Sequence, residues 1–339
     1  GGSRAPVLAR NTVASSQPLA TQAGIEALQN GGNAIDAALS TAITLTVVEP
    51  TMNGLGGDGF AILWDGKKLH GLNASGRAPA AWTPEYFAGK SAMDLIGWNT
   101  VTVPGMVAGW VELSKTFGKL PFAQLFKRAI DYAQNGFPVS PVIARQWREA
   151  IPILKDQPGF AQTFLLDGKA PQAGQIWKLP AQAKTLQEIA ASGGQSFYTG
   201  ALAQSMVDFA KASGGCFTMQ DFSANKPEWV EPLAFDYGGY TLHEIPPNGS
   251  GIAAQIALGI LEAANVKQYP ANSAKRIHLQ VEAMRIAFAD AYAYVADAGS
   301  MSMPVSSLLN RDYLASRAAL IDHNQAGTYG PGDPHSGGT

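Results

Sequence analysis

The residues best suited to chemistry lie far apart along the 339-residue chain. At its end Thr339 follows Gly337-Gly338, in a tail from Gly330 onward that carries no apolar anchor. Glycine reaches backbone angles closed to residues with a Cβ, which suits a peptide bond held under strain and then cut. Gly338 and Thr339 therefore read as a processing junction. On that reading the nucleophile is a threonine hydroxyl, from the residue after Thr339 or from Thr339 itself. An ordinary Gly/Pro-rich terminus is the competing expectation.

Near the start, Asn53-Gly54-Leu55-Gly56-Gly57-Asp58-Gly59 offers a backbone that a ligand can approach closely. The loop follows a helical pattern and opens a strand, the reverse of a dinucleotide fingerprint, and it lacks the Gly-Lys-Ser/Thr of a phosphate-binding loop. A tight helix-to-sheet connection is the plain alternative. Arg77, in Ser75-Gly76-Arg77-Ala78-Pro79-Ala80, stands where a strand end faces a cleft. A guanidinium there can clamp a carboxylate with two parallel hydrogen bonds, or it can pair with an acid of the chain itself. Pro246 to Gly251 precedes a helix whose first amides suit an anion, although a proline-glycine turn at that place is common. Glu282, Arg285 and Asp290 lie on one helical segment and are expected on a solvated or paired face.

Composition narrows the classes. A formal net charge of −2 without a Lys/Arg run argues against nucleic acid or an anionic membrane as partner. Histidines 70, 243, 278, 323 and 335 form no i,i+4 pair, so neither a metal site nor a cofactor is expected. Cys216 is the only cysteine; it excludes an internal disulfide and reads as a small buried hydrophobe. No apolar leader follows Gly1-Gly2-Ser3, so any signal peptide is expected to be absent or already removed. The apolar stretch Ala34 to Val48 holds Asp36 and several hydroxyl residues, and is too short and polar to span a bilayer.

Positioning these residues falls to a mainly helical frame. Apolar periodicity predicts helices over Pro18 to Asn30, Ala34 to Val48 with Asn33 as cap, Gly105 to Phe117 and Phe122 to Asn135. Ser140 to Gly200 reads as largely helical with breaks near Asp156–Gly159 and Ala170-Pro171. A helix after Gly251 and a long one over Ala274 to Ala298 follow, the latter with Ile277, Val281, Met284, Ile286, Ala287 and Ala291 inward. Strands are expected at Phe60–Trp64, Leu69–Asn73 and as a pair within Pro232 to Glu244. With no repeat and no linker, residues 1–339 are expected to form one domain of α/β or α+β layers.

The order of these motifs resembles the gamma-glutamyltranspeptidase family of N-terminal nucleophile hydrolases. The resemblance rests on Ser15 to Ala20, Gly31-Gly32-Asn33-Ala34-Ile35-Asp36-Ala37, Asn53 to Phe60, Val103-Pro104-Gly105-Met106-Val107-Ala108-Gly109, Asn135-Gly136-Phe137-Pro138 and Pro246 to Gly251. It implies an α+β, four-layer αββα sandwich completed by a small subunit cut from the same precursor. This chain would be the large subunit, the small one bringing the threonine nucleophile and the oxyanion-stabilising glycines. A dimer of heterodimers is a compatible higher assembly. The implied substrate is a small-molecule amide, with Arg77, Asn53, Gly56, Gly57 and Asp58 as binding residues.

One departure from the family pattern bears on specificity. The arginine that grips a glutamyl carboxylate stands, in that family, three residues before the Ala-Pro-Ala equivalent; Ser75 holds that place here, and Arg77 directly precedes Ala78-Pro79-Ala80. The sequence therefore looks more like the oxamate amidohydrolase and cephalosporin-acylase branch than like glutathione-acting members. A gamma-glutamyl transferase and a non-catalytic small-acid binder are the alternatives. Members of the family occur in both cytosol and extracellular space, and one cysteine does not decide between them; the cytoplasm is the working expectation, the periplasm or secretion its alternative.

Overall fold

The computed structural model describes residues 8–334; Gly338 and Thr339 lie outside the described residues. Helices α1 (Pro18–Gln29) and α2 (Ala34–Val48) lead into strands β1 (Gly59–Trp64) and β2 (Leu69–Ala74). Then come α3 (Met106–Phe117), α4 (Lys127–Asn135), β3 (Phe137–Pro138), α5 (Pro141–Leu154), α6 (Phe160–Phe164), β4 (Ile176–Trp177) and α7 (Pro180–Ala191). Helices α8 (Gln195–Thr199), α9 (Ala201–Ala212) and α10 (Met219–Ala224) precede β5 (Glu228–Val230), β6 (Leu233–Tyr237) and β7 (Tyr240–Glu244). The chain continues through α11 (Ile252–Ala263), α12 (Ala274–Tyr294), α13 (Val305–Leu308) and α14 (Arg311–Ala318). Contacts divide it into two compact units, Gly1–Gly59 with Ala74–Pro227 and Phe60–Asn73 with Glu228–Thr339.

The first unit is built on α2. Asn33 accepts from the backbone N–H groups of Ile35 and Asp36, while the Asp36 carboxylate accepts from the N–H of Asn33, a reciprocal cap. Asp36 is fully buried. It also accepts from the N–H groups of Lys119 (3.0 Å) and Leu120 (3.2 Å), tying the start of α2 to the chain after α3. Buried Thr41 and Thr44 donate to the carbonyls four residues back, at 2.7 Å each, which lets a helix with polar residues sit inside the unit. Around α2 pack Trp110, Phe126, Phe137, Trp147, Leu186 and Phe197.

The second unit holds the three-stranded sheet β1-β2-β5 and the β6-β7 hairpin. Strand β5 pairs antiparallel with β2, Leu72 opposite Trp229, and β6 pairs with β7 from Leu233–Glu244 to Tyr237–Tyr240. Gln255 of α11 donates to the carbonyls of Leu233 (3.0 Å) and Leu242 (3.1 Å), locking the hairpin onto the helix. Ile252, Ile256 and Ile260 of α11 pack with Leu279 and Ile286 of α12 and Leu314 of α14.

Several expectations need correction. The segment Phe122 to Asn135 begins as a 3-10 turn over Phe122–Phe126 and becomes α-helical only from Lys127. Helix α12 stops at Tyr294, not Ala298. Its buried face consists of Leu279, Glu282, Ala283, Ile286, Ala287, Asp290 and Ala291, whereas Ile277, Val281 and Met284 are 50%, 51% and 37% exposed. Glu282 and Asp290 are thus not solvated; both are buried with partners supplied by the rest of the unit. Asp290 accepts from the Tyr313 hydroxyl (2.9 Å) and from Arg317 Nη2 (3.0 Å), and burial beside that carboxylate pushes the Tyr313 pKa well up. Cys216 is half-buried.

Removing the cap carboxylate tests the first unit's frame. Asp36→Ala leaves the N–H groups of Asn33, Lys119 and Leu120 without their acceptor and should lower stability by about 1–3 kcal/mol, read as a shift in the denaturant midpoint of the assembled protein.

Candidate functional site

Three stretches marked by the sequence belong to the first unit: the loop after α2, the segment carrying Arg77, and Val103–Met106 at the start of α3. The loop is turned by a hydrogen bond from Gly57 N–H to the Gly54 carbonyl (3.1 Å), and the Gly57 carbonyl accepts from Met106 N–H (3.2 Å). Val103 N–H donates to the Arg77 carbonyl (2.9 Å). Gly57 and Arg77 are thereby fastened to the same short stretch of backbone.

The approach is so close that only glycine fits. Gly76 adopts φ +80°, and a Cβ there would lie 1.8 Å from the Val103 carbonyl oxygen. A Cβ on Gly105 would lie 2.3 Å from the Ala74 carbonyl oxygen. Tyr198 then pins the start of α3: its hydroxyl donates to the Pro104 carbonyl (2.7 Å) and accepts from Ala108 N–H (2.9 Å). Burial raises the pKa of this phenol far above the ordinary range, so it stays protonated and able to donate. On the other side of Arg77, Ala80 N–H donates to Asp221 of α10 (2.8 Å), and Asp221 also caps that helix with Thr218.

The five candidate binding residues do not all play one part. Arg77, Gly56 and Asp58 are exposed, and Gly57 and Asn53 half-buried. Asn53 turns back toward α2: its N–H donates to the Glu49 carbonyl (3.0 Å) and its Nδ2 reaches the Glu49 carboxylate (3.4 Å). Glu49, itself buried, also accepts from the Ser16 hydroxyl (2.5 Å). Asn53 thus shapes the root of the loop, while Gly56 and Asp58 form its exposed rim. Pro246 to Gly251 belongs to the second unit, where the Glu244 side chain stands against Gly251 and burial raises its pKa. The Glu244 carboxyl group thus lies beside Gly251, where the helix starts.

Tyr198, Glu49 and Asp221 are parts of this arrangement that the sequence reading passes over. Tyr198 acts on a carbonyl 94 residues away, and no local pattern reports that distance. Glu49 stands directly before Pro50 and reads as a helix end. Among the described residues no three His, Cys, Asp or Glu side chains group to hold a metal ion, and no helix is long and apolar enough to cross a membrane. Chemically, the arrangement sets an exposed arginine close in the chain to a rigid, side-chain-poor backbone.

Residues 20–339 match the family model described as gamma-glutamyltranspeptidase. The chain belongs to the gamma-glutamyltranspeptidase family. It is 38% identical over 317 residues to the glutathione hydrolase-like YwrD proenzyme of Bacillus subtilis, covering 93% of this chain and 60% of that protein. Identity to the oxamate amidohydrolase proenzyme of Klebsiella pneumoniae is 36% over 327 residues, covering 93% and 61% respectively. The crystal structure of cephalosporin acylase from Bacillus halodurans superimposes with a TM-score of 0.87 at 43% identity, over 98% of this chain and 65% of that one. The chain spans about 60% of the length of these curated relatives. Its α+β fold is that of the N-terminal nucleophile hydrolases of this family.

For this family member the glycines separate architecture from recognition. Gly76→Ala should cost about 2 kcal/mol or more, since a left-handed backbone and a blocked Cβ leave no local relaxation. Gly54→Ala and Gly56→Ala meet no atom within 4 Å and should change stability by less than about 0.5 kcal/mol. Thermal melts of the three variants check this ranking.

Proposed function

We propose that this chain is the large subunit of an autoprocessed amide hydrolase or acyl transferase, acting as one domain with a small subunit cut from the same precursor. The observation that carries this reading is coverage: the chain accounts for about 60% of relatives that are each named proenzymes. Its exposed apolar surfaces support it. Phe60, Ile62 and Trp64 all point outward from β1, a strand at the edge of its sheet, and on this reading strands of the small subunit complete that sheet into a four-layer αββα sandwich.

In the proposed reaction a threonine at or just after Thr339, freed as the first residue of the small subunit, attacks the substrate amide carbonyl. Its own α-amino group, with a reference pKa of roughly 7.7 to 8.0, takes the hydroxyl proton. Collapse of the tetrahedral intermediate leaves an ester to the threonine and releases the amine, which takes up that proton. Water or an amine acceptor then cleaves the ester. Stabilisation of the oxyanion at each stage carries much of the rate.

Arg77 is assigned to a carboxylate of the substrate, Gly56 and Gly57 to close backbone approach, and Asp58 and Asn53 to the rim and root of the pocket. The displacement of this arginine toward Ala78-Pro79-Ala80, together with the oxamate amidohydrolase relative, favours an oxamate-like or acyl amide over glutathione. Glutathione hydrolysis or gamma-glutamyl transfer is the second reading, supported by the similarity to the YwrD protein.

Two measurements test the proposal. Intact-mass analysis of the whole gene product should find two chains, the second beginning with threonine; a single uncut chain that binds a small acid without hydrolysing it would establish the non-catalytic alternative. Arg77→Ala should lower kcat/KM for oxamate or a glutaryl amide by about a hundredfold, the scale of a lost charge-assisted pair. Equal turnover of oxamate, glutaryl amide and glutathione by variant and wild type would remove Arg77 from the site.

A further inference from the structure

Residues 327–332 follow the last helix of the second unit, and they do not hang free of it. Glu282 accepts from the Gly327 N–H (2.7 Å) and from the Tyr329 hydroxyl (2.5 Å), while Arg285 donates to the Gly327 carbonyl (2.9 Å). Two turns further along α12, Asp290 accepts from the Gly332 N–H (2.9 Å), Arg317 donates to the Gly330 carbonyl (2.6 Å), and the Tyr294 hydroxyl donates to the Gly332 carbonyl. Glu282 and Asp290 are both almost wholly buried. Burial opposes charge on Glu282, yet Tyr329, Gly327 and Arg285 together hold its pKa below the ordinary value. Tyr329 responds in the opposite sense, pushed up to about 12 by burial and by its bond to that carboxylate.

Steric fit adds to the hydrogen bonding. A Cβ on Gly332 would lie 2.4 Å from the Tyr313 hydroxyl and 2.8 Å from Arg317 Cδ. The register is also marked at two points. Glu282 and Asp290 are separated by about 12 Å along the helix axis, a gap that the six residues from Gly327 to Gly332 bridge with one end held at each carboxylate. A shift by one residue would therefore break the backbone bonds at both carboxylates together.

We propose that Glu282 and the Asp290–Arg317 pair are positioning groups for chain cleavage: they fix the register of residues 327–332 and so determine where the junction, seven residues beyond Gly332, is delivered. This rests on the processing reading above. A latch of this kind confines the chain ends that precede the reacting bond, reducing the orientational entropy lost on reaching the cleavage geometry. Stability of the unit alone would require only that the carboxylates be paired; holding a glycine-rich segment by its backbone at both ends fixes position along the chain as well.

The test uses the whole precursor and varies tether length without touching the latch. One variant inserts Gly-Gly between Pro334 and His335, downstream of every latch contact; a second inserts Gly-Gly between Asn324 and Gln325, upstream of them. The downstream insertion should slow conversion to two chains by about tenfold or more, and the upstream insertion by less than about twofold, because the latch re-establishes the same register. Both should melt at the wild-type temperature, and Gly332→Ala should slow conversion as the downstream insertion does. Equal rates for the two insertions, or a downstream insertion that cuts at the wild-type rate or loses its melting temperature, would overturn the latch. A wild-type precursor that stays whole would instead refute processing itself, an outcome read on a different sample.

Discussion

The backbone contact between Ala74–Arg77 and Val103–Met106 is the constraint on which the candidate site depends. Two hydrogen bonds from this region, Val103 to Arg77 and Met106 to Gly57, each contribute only about 0.5–1.5 kcal/mol net. Steric exclusion sets the stricter condition. At 1.8 Å and 2.3 Å the hypothetical Cβ atoms of Gly76 and Gly105 would collide with backbone carbonyls, which cannot rotate away as a side chain can. Arg77 and Gly57 therefore take their positions from segments that meet only because neither carries a side chain at the crossing.

A second theme is the use of buried carboxylates as acceptors for backbone N–H groups from remote segments. Asp36 reaches residues 119 and 120, Glu282 reaches Gly327, and Asp290 reaches Gly332. Such groups contribute little net stability compared with an apolar core, since desolvation offsets most of the attraction. Their effect is directional. An apolar contact tolerates sliding by a fraction of an ångström, whereas a carboxylate that accepts from one particular amide fixes which residue lies where.

Local patterns made most of the frame legible. Asn33 acts within a few residues, and the strand patterns at Phe60–Trp64 and Leu69–Asn73 are local too, so α2 and the β1–β2 strands could be read directly. Helix α12 shows where that legibility ends. Its sequence carries two apolar rows at helical spacing, one through Leu279, Ala283, Ile286 and Ala287 and another through Ile277, Val281, Met284 and Phe288, and periodicity alone cannot rank them. The inward row proved to be the one that includes Glu282 and Asp290, which, apart from the nearby Arg285, take partners 23 to 47 residues further on. At the site the same limit applies: glycine positions signal a close approach, but not which segment approaches, and Tyr198 gives no local sign of its role.

The outer row of α12 and the outer face of β1 have a physical meaning for assembly. Fully burying a large apolar side chain stabilises by about 1.5–3 kcal/mol, and Phe60, Ile62 and Trp64 on one element and Val281, Met284 and Phe288 on another each keep a third or more of their surface exposed, so part of that stabilisation is left unrealised. Charged or proline residues commonly protect an exposed edge strand, and β1 carries neither between Gly59 and Trp64. A surface of that composition is costly in an isolated chain and favourable beneath a second polypeptide. On the proposed reading the latch and the apolar faces then have complementary parts: the carboxylates set the register of the chain before the cut, and the uncovered apolar surface holds the two products together after it.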